Sequence, residues 1–306
     1  MKNKKAMISR TLTVFVLFFI TLTFKLNAQE RYVGPIIDMH LHDYSEESYY
    51  VAPTPDRRGM SPPNLDSFHA EVNRMIEKYN IIKGVSSPAL GLLSKNREVI
   101  VPGYMVDKPP ADTTVFIKMI ESGEMQIFGE IGAIYGGYTL SDPEFDPYLA
   151  ICERYNIPVA VHTGGGPPQT AYRCCPNFRL KLGDPFEIED VLVKYPKLRV
   201  YMMHAGEVYY EHALRLMKMY PHLYADLGVL LWVDNSTKDY AESFLRKAKR
   251  YGLIDRVLFG SDQMVWPQAI ELSIETLNAF DFLSLEDNRK IFYDNAVRFM
   301  EWDIKP

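Results

Sequence analysis

The stretch Ile36-Ile37-Asp38-Met39-His40-Leu41-His42 reads as a short apolar strand that ends on two histidines, one residue apart. Side chains two apart on a strand share a face, so both imidazoles point the same way. Seven similar runs follow, at 84–88, 99–105, 126–133, 158–164, 199–206, 223–229 and 256–262. Helix-like periodicity fills the gaps, over 65–79, 111–121, 146–155, 187–195, 211–220, 237–251 and 268–279. A closing helix is expected from about 285 to 300, with Ile291, Phe292, Val297 and Phe299 on its apolar side. Asn64 and Asp66 offer caps for the first helix, and Asp184 with Pro185 precedes the helix after the fifth run.

Continuous apolar strands separated by helices imply parallel pairing, with the helices covering the outer face. Eight such units in succession, with no Gly- or Ser-rich linker, predict an α/β fold of the closed (β/α)₈ TIM-barrel type. The alternative is a doubly wound open sheet. It uses fewer strands and opens on a Gly-rich first turn, where this chain has His40–Asp43. The longest irregular pieces, 43–63 and 164–184, follow strands, where a barrel carries its functional loops.

Composition agrees with one globular enzyme-sized unit. The 306 residues are 47% hydrophobic and 24% charged, with a net charge of −5. That balance lacks the basic footprint of a nucleic-acid binder. Lys2, Lys4, Lys5 and Arg10 precede an apolar run over 11–24, and Ala28 follows as a small residue before a cleavage point. A run of about 14 residues is too short to cross a hydrocarbon core of roughly 30 Å. Residues 1–28 therefore read as a signal peptide and 29–306 as a single mature domain, exported to the periplasm or secreted, with no stable membrane insertion after cleavage. An uncleaved anchor is the alternative. Cys152, Cys174 and Cys175 leave at least one thiol unpaired in a monomer. Adjacent cysteines rarely bridge, so the expectation is structural thiols, with a Cys152 bridge to one of the others left open.

Metal-competent side chains gather at the ends of the runs: His40 and His42, Glu130, His162, His204 and Asp262. Each has an ordinary reading alone, as a satisfied polar residue, a paired interior acid or a helix cap. Together they converge on one rim of a barrel. Imidazole with carboxylate and no thiolate suits a catalytic zinc, with manganese or iron as alternatives. His69, His212 and His222 fall in helices or at their edges and read as ordinary.

The runs Asp38-Met39-His40-Leu41-His42, Gly129-Glu130-Ile131-Gly132, Val161-His162-Thr163-Gly164, Met203-His204-Ala205-Gly206 and Phe259-Gly260-Ser261-Asp262, in this order, resemble the amidohydrolase superfamily. The nearer resemblance is to the amidohydrolase-related branch that includes aminocarboxymuconate-semialdehyde decarboxylase, over about 34–302, with Asn295-Ala296 in a closing helix like that family's. The resemblance implies His40, His42, His162 and Asp262 as ligands of one divalent metal. His204 would orient or polarise substrate or bind a second ion. Some relatives carry a bridging carboxylated Lys or Glu on the fourth strand; Glu130 leaves one ion or two open. Asp262 would take a proton from an activated water and pass it to the leaving group, with His204 as the second catalytic residue.

The expected activity is hydrolysis of a small-molecule amide, lactone or ester. Non-oxidative decarboxylation is the alternative, and a non-catalytic ligand-binding barrel a further one. For substrate contacts, the loops after the strands offer Tyr135, Tyr138, Tyr172, Arg173, Trp232 and Trp266. Arg173 suits a carboxylate clamp or a surface ion pair equally. Gly164-Gly165-Gly166-Pro167-Pro168 forms a kinked loop whose backbone can approach the site. A homo-oligomer is left open.

Overall fold

In the computed structural model, which describes residues 31–304, the first strand β1 (Ile36–Leu41) starts an unbroken parallel sheet. It continues through β2 (Ile81–Ser86), β3 (Ile100–Val106), β4 (Ile127–Ile131), β5 (Val159–His162), β6 (Val200–Met203) and β7 (Leu223–Ala225), in sequence order. The signal segment read at 1–28 lies outside the described residues. Among the described residues no helix is long and apolar enough to cross a membrane.

The eighth run departs from expectation. It is not a regular strand: a single parallel bridge pairs Val257 with Ala225. It closes the ring all the same, because Leu258 N donates to Ala225 O at 2.8 Å, Met39 N donates to Phe259 O at 2.9 Å, and Asp262 N donates to His40 O at 2.7 Å. The Phe259 amide is turned instead to Ile291 O, at 3.0 Å, on the closing helix. The result is a (β/α)₈ barrel whose last stave is irregular.

The closing helix is also not uniform. Leu285–Arg289 and Asn295–Met300 are α-helical, while Lys290–Asp294 between them is wound wider, with i→i+5 bonding. The wide turn is the one whose Ile291 carbonyl meets the eighth stave. Asn295, fully buried, donates from Nδ2 to Ile254 O and Val257 O, both at 2.7 Å. One side chain thus fastens the C-terminal helix to the stave that carries Asp262.

Two apolar layers hold the barrel. The outer one packs sheet residues such as Ile36, Leu41, Phe128 and Val200 against helix residues including Phe68, Phe116 and Phe244. The inner one fills the barrel with Ile37, Met39, Val101, Ile127, Tyr201 and Met203, plugged from below by Tyr293 and Phe299. Strict alternation from Ile37 and Met39 would turn His40 outward. The register of β1 on β2 shifts between Asp38 and Leu41, which moves Leu41 to the outer layer and His40 to the interior. The histidine pair does share one face, but this irregularity is what aims it.

The cysteines correct the sequence reading. Cys174 and Cys175 are bonded to each other, in the loop after β5, and Cys152 is a free, buried thiol. Cys152 is carried on the inner side of the helix Asp146–Tyr155, so it does not pair with either.

Candidate metal centre

Six side chains from five staves meet at the C-terminal mouth. His40 and His42 come from the end of β1, Glu130 from β4, His162 from β5, His204 directly after β6, and Asp262 from the eighth stave. All are at least nine-tenths buried. Three overlapping donor groups form among them: His40, His204 and Asp262; His40, His42 and Glu130; Glu130, His162 and His204. Within each, the donor atoms lie within 4.8 Å of one another.

Hydrogen bonds around the rim decide which nitrogen of each ring faces the centre. A backbone carbonyl only accepts, so a ring nitrogen bonded to one must carry the proton. His42 Nδ1 is 2.8 Å from Ser87 O, His204 Nδ1 is 3.1 Å from Gly228 O, and His162 Nε2 is 2.6 Å from Gly165 O. His40 Nδ1 lies 3.0 Å from a carboxylate oxygen of Asp226. In each neutral ring the opposite nitrogen then presents its lone pair inward. His42 Nε2 is 3.0 Å from Asp262 Oδ1 and 3.4 Å from Glu130 Oε2, and His162 Nδ1 is 2.6 Å from Glu130 Oε1. His40 Nε2, 3.5 Å from Glu130 Oε2 and 3.6 Å from Asp262 Oδ2, is buried with no hydrogen-bond partner. Lone pairs and carboxylate oxygens turned on one another, two of them (His40 Nε2 and Asp262 Oδ1) without a hydrogen-bond partner, form a donor set that a divalent cation fits.

The electrostatics agree. Burial alone would raise the Asp262 carboxyl, but the His40 and His42 imidazoles outweigh it and bring its pKa down to about 2. Burial likewise opposes ionisation of Glu130, yet the His162, His204 and His40 rings beside it hold it well below the usual carboxylate range. At His40, burial disfavours the charged ring, while the Asp262 and Asp226 carboxylates raise its pKa well above the usual histidine value. These buried carboxylates demand positive charge beside them.

Backbone strain supports the mouth. His204, Ala205 and Glu207 have φ of 64°, 47° and 47°, and Asp262 has φ of 47°. Such left-handed non-glycine residues cost on the order of 1–3 kcal/mol each and persist only where surroundings impose them. Here Asp226 Oδ1 accepts from His204 N at 2.8 Å, Thr163 Oγ1 from Gly206 N at 3.0 Å, and His40 O from Asp262 N at 2.7 Å.

The proposed substrate contacts fall differently. Tyr135 sets its ring 5.1 Å from that of His162, and burial first, with Glu130 and Asp262 adding, raises its phenol well above the usual range, so it stays a neutral donor. Trp232 and Trp266 meet edge to face at 5.7 Å, but their N–H groups already donate, to Ser261 O at 2.8 Å and Ala52 O at 3.2 Å. Arg173 is exposed on the short helix Thr170–Arg173, where its Nε donates to Gln169 Oε1 at 3.2 Å. Tyr172 is 92% exposed. The glycine loop does come close: Gly164 has φ of 85°, and the Gly165 carbonyl is the acceptor for His162.

Three supporting residues escaped the sequence reading. Asp226 backs His40. Asp38 Oδ1 accepts from His40 N at 3.0 Å and Ser261 N at 2.9 Å, joining the first and eighth staves. Gln263 brackets His42, accepting from its N at 3.1 Å and donating to its O at 2.6 Å. Asp226 and Asp38 lie on apolar strands, and an isolated acid there was the available signal.

A closed parallel barrel with histidine and carboxylate donors at the C-terminal ends of its staves has the build of a metal-dependent barrel enzyme. Residues 37–301 match the family model described as "Amidohydrolase", and the chain is an enzyme belonging to that family. Its fold is similar to that of an uncharacterised TIM-barrel protein from Bordetella bronchiseptica, at 18% identity and a TM-score of 0.63, covering 88% of this chain and 99% of that one. It is also similar to a probable 2-pyrone-4,6-dicarboxylic acid hydrolase from Acinetobacter baumannii, at 14% identity and a TM-score of 0.60, covering 88% and 100%. The 2,6-dihydroxybenzoate decarboxylase from Rhizobium shares the fold at 13% identity and a TM-score of 0.56, covering 88% and 99%. A stretch of 118 residues is 25% identical to the protein fluG of Emericella nidulans, spanning 39% of this chain and 12% of that protein.

Proposed function

We propose that this enzyme hydrolyses a small-molecule amide, lactone or ester, with His40, His42, His162 and Asp262 holding a divalent metal, zinc foremost, and Glu130 able to share a second ion. The observation that carries the reading is the inward set of ring nitrogens closing on Asp262 and Glu130. When bound there, such an ion supplies Lewis acidity and lowers the pKa of water from 15.7 to about 7. Asp262, kept ionised by its histidines, accepts the proton of the attacking water and returns it to the leaving nitrogen or oxygen. The C–N or C–O bond breaks as the new C–O bond forms. His204, held by Asp226 and Gly228, faces the same space and polarises the carbonyl once its inward nitrogen is protonated. Tyr135 donates to a substrate oxygen, while Trp232 and Trp266 offer ring surface only. Arg173 is the candidate carboxylate clamp, on the loop after β5. The same residues suit non-oxidative decarboxylation, the activity of the Rhizobium fold neighbour, in which CO₂ leaves and Asp262 passes a proton taken from water to the carbon left behind. Export with signal cleavage remains part of the proposal.

The test is elemental analysis of protein purified without chelator, followed by a screen of lactones, N-acyl compounds and aromatic carboxylates. About one or two equivalents of transition metal and acid release from a carbonyl substrate support hydrolysis. Release of CO₂ selects decarboxylation. Metal-free protein that added metal does not stabilise would overturn the metal reading.

A further inference from the structure

Of the four outer acceptors that set the ring orientations, three are backbone carbonyls, those of Ser87, Gly165 and Gly228. No substitution changes their character. The fourth is a side chain. Asp226, fully buried at the end of β7, puts Oδ2 at 3.0 Å from His40 Nδ1 and uses Oδ1 to accept from His204 N at 2.8 Å and Gly228 N at 2.9 Å. Space is cleared for the pair by two glycines. A Cβ on Gly228 would lie 2.6 Å from His40 Nδ1, and one on Gly260 would lie 2.8 Å from His40 Cβ and 3.1 Å from Asp226 Oδ2.

We infer that Asp226 is the positioning residue that dictates the tautomer of His40, keeping its proton on Nδ1 so that Nε2 faces the centre as a lone pair. The inference rests on the metal reading above for its consequence, though not for its geometry. An ionised carboxylate accepts at both oxygens, so the His40 nitrogen facing it must donate. The two backbone N–H groups at Oδ1 make the position unusually diagnostic. In Asp226→Asn they retain the amide oxygen, since an amide NH₂ has no lone pair to offer them. The NH₂ is then forced against His40 Nδ1. That nitrogen must accept, the ring proton moves to Nε2, and Nε2–H points at Glu130 and Asp262. A protonated nitrogen is no ligand. One atom exchange of nearly equal volume thereby inverts the ring's role while leaving its place intact, and the His204 turn keeps its acceptor.

The experiment uses full-length mature protein labelled with ¹⁵N-histidine. Two-bond ¹⁵N–¹H correlation spectra are recorded metal-free, at alkaline pH where His40 carries one proton, with His40→Gln to assign its signals. The native protein should show the proton on Nδ1 and Asp226→Asn should show it on Nε2. Competition titration with zinc should show affinity falling about 10- to 100-fold in Asp226→Asn. Adding His40→Ala to that variant should cost less affinity than it does in the native background. A native His40 protonated on Nε2 would overturn the inference, as would an Asn variant with the native tautomer and native zinc affinity. Should the Asn variant fail to fold, the native spectrum alone still decides. If native protein binds no zinc, the metal reading falls while the spectra still judge the tautomer.

Discussion

Gly228→Ala tests whether the packing around His40 sets the metal geometry. The added Cβ would sit 2.6 Å from His40 Nδ1 and 3.1 Å from both His40 Cε1 and Asp262 Cβ. Ordinary contact begins at 3.4 Å, so the His40 ring must move by about 0.8 Å. Metal–ligand distances tolerate only about ±0.2 Å. The displaced ring would also stretch its 3.0 Å bond to Asp226. Zinc affinity should therefore fall at least about 10- to 100-fold, or roughly 1.4–3 kcal/mol. Overpacking should lower metal-free stability by about 1–3 kcal/mol. The assay is chelator competition for affinity and urea denaturation for stability. Gly59→Ala is the control, because its Cβ would meet Thr54 Cγ2 at an ordinary 3.5 Å. If Gly228→Ala binds zinc within threefold of the control, tight packing is not what holds His40 in place.

Asp262→Asn should keep much of the metal and lose about 10²- to 10⁴-fold in turnover on an active substrate, some 3–5 kcal/mol in the barrier; near-native turnover with metal bound would transfer the base role to His204 or Glu130. His40→Ala should lose metal and activity together, as elemental analysis of the purified variant would report. Asn295→Ala strips the donors from two buried carbonyls and should destabilise by about 2–5 kcal/mol in urea titration. A loss below about 1 kcal/mol would show that the closing helix is held by other contacts. Mass spectrometry of native protein should find an N-terminus near Gln29, and an intact Met1 in the cytoplasm would exclude export.

Much of the barrel is legible because its strands are apolar throughout and its helices carry one apolar stripe. Gln268–Ala279 and Asp146–Tyr155 begin and end where periodicity puts them. The strand-end donors stand out for the same reason: a histidine or acid is conspicuous at the polar end of an apolar run. Other features depend on partners distant in sequence. Nothing near Val257 announces that Phe259 will bond a helix carbonyl rather than a strand. The register shift that turns His40 inward belongs to the pairing with β2, not to β1 alone. Asp226 sits in Leu-Tyr-Ala-Asp-Leu-Gly-Val, where a lone acid could equally enter the centre or stand behind it. Which nitrogen of each ring faces inward follows from carbonyls of Ser87, Gly165 and Gly228, and backbone positions leave no mark on residue identity.

The Asn295 clamp has a consequence for how the protein is made. The two histidines of β1 leave the ribosome early, but the stave bearing Asp262 gains its bonds from Asn295 to Ile254 and Val257 only when the last helix has been made. Roughly 250 residues separate the two events, which at about 5–20 residues per second is on the order of 10–50 s of synthesis. During that interval β1 waits at an open sheet edge for the stave that closes against it. A nascent chain stalled just before its last helix therefore holds every ligand of the centre but not the helix that fastens its eighth stave.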